Sequence, residues 1–263
     1  MRFWPAFFLI GFALLCNYGP IQGGEAIPAK GNHELPGGQT DSLRLPKPGA
    51  QLIIGRSVQG RAIWLHRFGR SEAPQLLIIA GIHGYEAEGI AFAGSLISSL
   101  KELNPDSLCY DVFVLPLLNP DGQAQGTRRN ANGVDLNRNF PSRNFTVGDP
   151  SSVYYDGAQP ASEPETQVLL ELVRQINPRI IISLHSPLAC VNYDGPAETL
   201  ARSIATALGL PLRESLGYST PGSLGSWYGK DLGLPVITLE LPRSDQAWEI
   251  YGDKLLRCLG LVR

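Results

Sequence analysis

The sequence predicts an α/β protein: a single domain in which a central mixed, largely parallel sheet carries helices on both faces. Two observations lead there. Short continuous apolar runs recur at residues 75–81, 111–120, 180–184 and 234–241, the pattern of strands buried on both faces. Between and after them, residues 86–100, 162–176, 198–208 and 247–261 space apolar side chains three to four apart, as amphipathic helices do. Such alternation is what a sheet wrapped by helices requires. A chain of 263 residues that is 43% hydrophobic can bury one substantial core, and no internal repeat or second boundary is visible.

The elements follow in order. Residues 1–26 open with Arg2, continue through the apolar run 6–16 and leave through small residues to Ala26. These features predict a secretory signal peptide cleaved after Ala26, and hence a periplasmic or secreted protein. The run is short for a bilayer span of about 20 residues, so no stable membrane span is expected after cleavage. Residues 27–48 are rich in Gly and Pro without periodicity, and read as a linker or flexible tail. The domain proper is expected over residues 49–263. It starts with a hairpin, 51–54 and 62–66, turned through Gln59-Gly60, in which His66 alternates with apolar neighbours and reads as structural. The run 111–120 is expected to end in Pro-Asp-Gly turn chemistry. Ser162-Glu163-Pro164-Glu165 combines a cap, a proline and acids, and opens the helix that runs to Ile176.

Composition narrows the function. Lys and Arg number 22 against 24 Asp and Glu, a balance that offers no electrostatic case for nucleic acid. Gly 29 and Pro 21 predict many loops. Of the four cysteines, Cys16 lies in the leader. Cys109, Cys190 and Cys258 match no metal spacing, and an exported chain leaves a Cys109–Cys258 or a Cys190–Cys258 bridge open.

The residues able to do chemistry sit at strand ends. His83 and Glu86 follow the strand 75–81 in His83-Gly84-Tyr85-Glu86, where an imidazole and a carboxylate can converge on one metal ion. His185 follows the strand 180–184 in the same way, and in an open α/β sheet such ends line the ligand crevice. Taken singly, each is more simply a capping or strand-end residue. Together they form a His2Glu set with an open fourth position. Glu240 interrupts the apolar strand 234–241, where a carboxylate is costly unless paired, solvated or useful, and where burial would raise its pKa towards that of a general base. The segment 127–141 holds three arginines and four asparagines, groups suited to carboxylates and oxyanions if it is more than a polar loop.

These residues together resemble the zinc metallocarboxypeptidase family. The resemblance rests on His83/Glu86, the Asn-Arg pair within Gly133-Val134-Asp135-Leu136-Asn137-Arg138-Asn139, His185, and Glu240 in Thr238-Leu239-Glu240-Leu241, in the family's order, and it covers roughly residues 50–261. It implies that His83, Glu86 and His185 bind one Zn2+ ion and that Glu240 is the general acid–base. It assigns Arg128, with Arg129 as the alternative, to the oxyanion. Asn137 and Arg138 would hold the free carboxylate of the released residue, and Tyr218 would close over the substrate.

Longer stretches, among them Arg128 to Pro141 and Gly217 to Trp227, are similar to the subgroup that acts on murein stem peptides. The implied substrate is a murein stem peptide, cut between γ-D-glutamate and meso-diaminopimelate. The best-known enzyme of that subgroup is cytoplasmic, so a leader here would move the activity to the periplasm. The readings that compete are a general zinc carboxypeptidase releasing C-terminal residues, and a non-catalytic module that binds wall peptides.

Overall fold

The computed structural model describes residues 43–262. The expected leader therefore lies outside the described residues, as does most of the expected linker. The last part of that linker is described: Leu43 and Leu45 pack against the core, and Arg67 Nη1 donates to Pro46 O at 3.1 Å. Two leucines in an otherwise polar stretch account for this docking.

A single sheet of eight strands organises the domain, in the order β1-β2-β4-β3-β5-β8-β6-β7. β1 (Gln51–Arg56) and β2 (Ala62–Phe68) form the expected antiparallel hairpin, and β2 adds antiparallel to β4 (Asp111–Leu115). β4, β3 (Gln75–Ala80), β5 (Ile180–His185) and β8 (Val236–Glu240) run parallel, as buried apolar runs do. β6 (Cys190–Asp194) returns antiparallel against β8, and β7 (Leu212–Arg213) closes the edge parallel to β6.

Both faces are covered, as predicted. On one face α1 (Ala87–Glu102), α4 (Glu198–Leu208) and α5 (Ala247–Cys258) pack over Leu76, Ile78, Ile182, Ile237 and Leu239. On the other, α3 (Pro164–Ile176) and a π-helical segment, Gly225–Asp231, pack over Leu77, Ile79, Ile181 and Val236. Each of the four parallel strands thus divides its alternate side chains between two cores.

Several elements differ from expectation. The run 111–120 stays extended only to Leu115, and Pro120–Gln125 forms a short helix, α2, where a turn was expected. Asn119 Oδ1 accepts from Gly122 N at 2.8 Å, Pro120 fills the first turn and Gly126 ends the helix in the left-handed region. β6 was not foreseen because Cys-Val-Asn-Tyr-Asp is half polar, and those polar side chains line the cleft described below. The last helix stops at Cys258 instead of reaching Leu261. Cys258 carries a free thiol, so neither of the bridges considered for it forms, and burial pushes that thiol up to about 11.

Candidate metal centre and active site

The carboxyl ends of β3, β5 and β8 supply the centre. After β3 the chain turns at Gly81 and presents His83, while Glu86 stands at the start of α1. Gly84 between them permits close packing: a Cβ there would lie 2.0 Å from the backbone carbon of Gly122 in α2. β5 ends in His185, which the parallel register sets beside Glu240 of β8. Ligand atoms of His83, Glu86 and His185 all lie within 4.8 Å of one another, and all three side chains are buried. His83 Nδ1 is 2.6 Å from Glu86 Oε1, and His185 Nδ1 is 2.9 Å from Glu86 Oε2. Two imidazoles and one carboxylate converging from buried, fixed elements form a donor set that fits zinc with one position left for water or substrate.

The far nitrogens of both rings are engaged as well. His83 Nε2 lies 3.2 Å from Asp135 Oδ1, and His185 Nε2 lies 2.9 Å from Ser183 Oγ. Such contacts fix which nitrogen faces the metal. Asp135, fully buried, also accepts from Arg128 Nε at 2.8 Å and from Asn137 N at 3.0 Å. Burial alone would lower the His83 pKa, but the Glu86 and Asp135 carboxylates raise it above its ordinary value. Burial would raise the two carboxyls; the charges of His185 and His83 hold Glu86 far below the usual range, and those of His83 and Arg128 do the same for Asp135. Neither Asp135 nor Ser183 was singled out from the sequence. The available signal was Asp135 as the lone acid in an arginine- and asparagine-rich segment.

The asparagines of that segment divide their work. Asn130 Nδ2 donates to Glu163 Oε2 at 2.7 Å and to Glu165 Oε2 at 3.0 Å, and Asn132 Nδ2 donates to Glu163 Oε2 at 2.8 Å. Asn139 Nδ2 donates to Asp156 O at 2.7 Å. Asn139 Oδ1 also accepts from Glu163 N at 3.2 Å, so all three anchor the loop to the start of α3, which is why it keeps one shape with little apolar content. Asn137 is different. Its Oδ1 accepts from Leu224 N at 3.0 Å, which leaves its amide hydrogens as donors at the cleft wall. Arg128 lines the cleft, whereas Arg129 reaches away to Ser152 O at 3.2 Å.

The cleft encloses about 280 Å³, and it is lined by every residue assigned a role from the sequence except the alternative, Arg129. Arg138 is buried, and Gly222 closes on it from the opposite loop: Gly222 has φ of 66°, and a Cβ there would lie 1.9 Å from Arg138 O. Tyr154, missed in the sequence, places its ring 5.2 Å from the Arg128 guanidinium carbon and 5.5 Å from that of Arg138. Glu240 is buried, and its Oε2 accepts from Leu188 N at 3.3 Å. Tyr218 stands at the rim, 52% exposed, with its hydroxyl pKa raised by burial and by the charge of Glu240.

Comparison with known proteins now decides the family, because the sequence model of the zinc carboxypeptidase family matches residues 44–207. The chain belongs to the zinc carboxypeptidase family. The matched span contains His83, Glu86, Arg128, Asn137, Arg138 and His185; Tyr218 and Glu240 lie beyond it. As a member, the chain is a zinc-dependent hydrolase.

Among its relatives is murein peptide amidase A of Escherichia coli K12, 40% identical over 210 residues that cover 75% of this chain and 84% of the relative. Murein peptide amidase A of Vibrio campbellii is 38% identical, over 63% of this chain and 68% of that protein. The crystal structure of murein-tripeptide amidase from Escherichia coli O157 superposes with a TM-score of 0.66 at 36% identity, covering 83% of this chain and 92% of that one. Carboxypeptidase A of Helicoverpa armigera, 18% identical, shares the fold with a TM-score of 0.69 over 81% of this chain and 69% of its own.

Proposed function

We propose that this zinc hydrolase cleaves the amide between γ-D-glutamate and meso-diaminopimelate in murein stem peptides. The observation that carries the reading is the 40% identity to a murein peptide amidase across 84% of that enzyme, joined to a cleft that brings together all the residues such chemistry needs.

His83, Glu86 and His185 would hold the zinc, which would supply a Lewis acid for the scissile carbonyl and lower the pKa of water. Glu240 accepts a proton from the attacking water and returns it to the leaving amine, which departs as the free amino group of diaminopimelate. Arg128, steered by Asp135, donates to the oxygen that becomes negative as the carbonyl turns tetrahedral. Arg138 and the amide hydrogens of Asn137 bind the carboxylate of the residue to be released. In a tripeptide stem diaminopimelate is terminal, so it keeps that carboxylate. Tyr218 at the rim covers the bound substrate.

Purified, zinc-loaded protein incubated with L-Ala-γ-D-Glu-meso-diaminopimelate should release diaminopimelate and the dipeptide. Turnover of ordinary C-terminal peptides alone would establish the general carboxypeptidase instead. Binding without turnover of either would establish the wall-peptide-binding module.

The same proposal places the enzyme outside the cytoplasmic membrane, as a periplasmic or secreted protein. It is supported by Arg2, the apolar run 6–16 and the small-residue exit at Ala26. Among the described residues, no helix is long and apolar enough to cross a membrane. Fractionation of cells that express the full chain, with sequencing of the mature N-terminus, tests the cleavage site and the compartment together.

A further inference from the structure

Three strands set out rows on one face of the sheet. The register pairs His185 of β5 with Glu240 of β8, and Glu240 with Cys190 of β6. Two residues back along β5 and β8 lie Ser183 and Thr238, with Asn192 opposite; two further back lie Ile181 and Val236, with Asp194 opposite. The cleft descends these rows, lined by His185 and Glu240, then by Ser183, Thr238 and Asn192, and at the far end by Asp194.

Asp194 is only 16% exposed. Its Oδ1 faces Lys230 Nζ at 3.2 Å, and that lysine is 63% exposed, on the outer side. Its Oδ2 lies over Gly225, which also lines the cleft: a Cβ at Gly225 would sit 2.0 Å from that oxygen. Gly225 is absent from the glycines of positive φ, so its backbone does not demand glycine. Lack of a side chain at this position is what lets the Asp194 carboxylate sit where it does.

We propose that Asp194 is a specificity determinant that binds an ammonium group at the end of the side chain of the released residue. This rests on the amide-hydrolase reading of the same cleft. The length agrees. From the level of Cys190 and Glu240 to Asp194 is four residues, about 13 Å at strand spacing. The six bonds from the amide nitrogen of diaminopimelate to its distal nitrogen extend about 7 Å. A hydrogen bond of about 3 Å at each end completes the distance. The sign agrees too: Arg138 at one end suits a carboxylate, and Asp194 at the other suits a cation.

The test compares meso-diaminopimelate with L-2-aminopimelate, which keeps the distal carboxylate and lacks the distal ammonium. Each is titrated calorimetrically into zinc-loaded protein, and each is offered as the last residue of the L-Ala-γ-D-Glu tripeptide. A charge-assisted contact should favour the ammonium form about tenfold to hundredfold. Asp194→Asn should bring that ratio to within about twofold. Gly225→Ala, which crowds Oδ2, should reduce the ratio as well and provides a second variant should Asp194→Asn fold poorly. Equal binding of the two amino acids by the wild-type protein, or a ratio unchanged in both variants, overturns the assignment. If neither tripeptide is cut while an Asp194-dependent preference persists in calorimetry, the proposed reaction fails and the ammonium site stands.

Discussion

Asp135 Oδ1 lies 3.2 Å from His83 Nε2, on the side of the ring opposite the nitrogen that faces Glu86. The other oxygen of the same carboxylate takes the Arg128 Nε hydrogen at 2.8 Å. One buried acid therefore sets the orientation of a metal ligand and of the arginine assigned to the oxyanion. Asp135→Asn keeps the shape and removes the charge. Zinc affinity should fall about 10- to 100-fold, as for other partners of ligating histidines. Turnover at saturating zinc should also fall, because Arg128 loses its anchor. Zinc titration and kcat measured on the same preparation check this. A variant with weaker zinc and normal kcat would show that Asp135 does not position Arg128.

Glu240→Gln separates chemistry from metal binding. Glu240 stands beside His185 in the strand register, yet it is not among the three clustered ligand residues. The variant should keep its fold and its zinc and lose about 10²- to 10⁴-fold in kcat, the range for a lost general acid–base. Metal analysis and steady-state rates decide it, and near-normal turnover would remove Glu240 from the mechanism.

The sequence made the parallel centre of the sheet readable, because β3, β4, β5 and β8 are apolar on both sides and turn residues bound them. It made the site readable for a related reason. His83, His185 and Glu240 are polar residues at or near the ends of such runs, where burial without a function is costly. What stayed hidden depends on contacts across the fold. Asn130, Asn132 and Asn137 look alike in the chain, yet two bind Glu163 and one faces the cleft, a division set by α3 and the π-helical segment. Arg128 was preferred to Arg129 only through the family resemblance; the contact that holds Arg128 at the cleft, its bond to Asp135, is not visible in the chain. β6 escaped because its cleft-facing positions, Asn192 and Asp194, break the apolar pattern that announces a strand.

Arg138→Ala tests recognition of the terminal carboxylate. A planar guanidinium is suited to bidentate contact, and this one is buried against Tyr154 and the Gly222 loop. KM for a substrate with a free terminal carboxylate should rise about 10- to 100-fold, as expected for a lost contact between charged groups. The amidated analogue, already poor, should change little. Equal losses on both substrates would mean that the variant damages the cleft as a whole and would count against a carboxylate pocket.

Acid should strip the metal, and the sign follows from the charges around His83. Its pKa is raised above 6.5 by Glu86 and Asp135, so protonated His83 stabilises the zinc-free fold fully below that value and less as pH rises through the raised one. Glu86 and Asp135, held far below their ordinary 4.5 and 3.8, stabilise the zinc-free fold above those values and lose that contribution as pH falls through their depressed ones. The zinc-free network is therefore strongest in mildly acidic solution. Zinc needs the neutral imidazole and must displace that proton, so its binding weakens in the same window. Paired thermal melts, with zinc and with a chelator, should show an increase in Tm on metal addition that grows from about pH 5.5 to about pH 8. A shift that is constant over that range, or that shrinks towards alkaline pH, would show that no raised histidine competes with the metal.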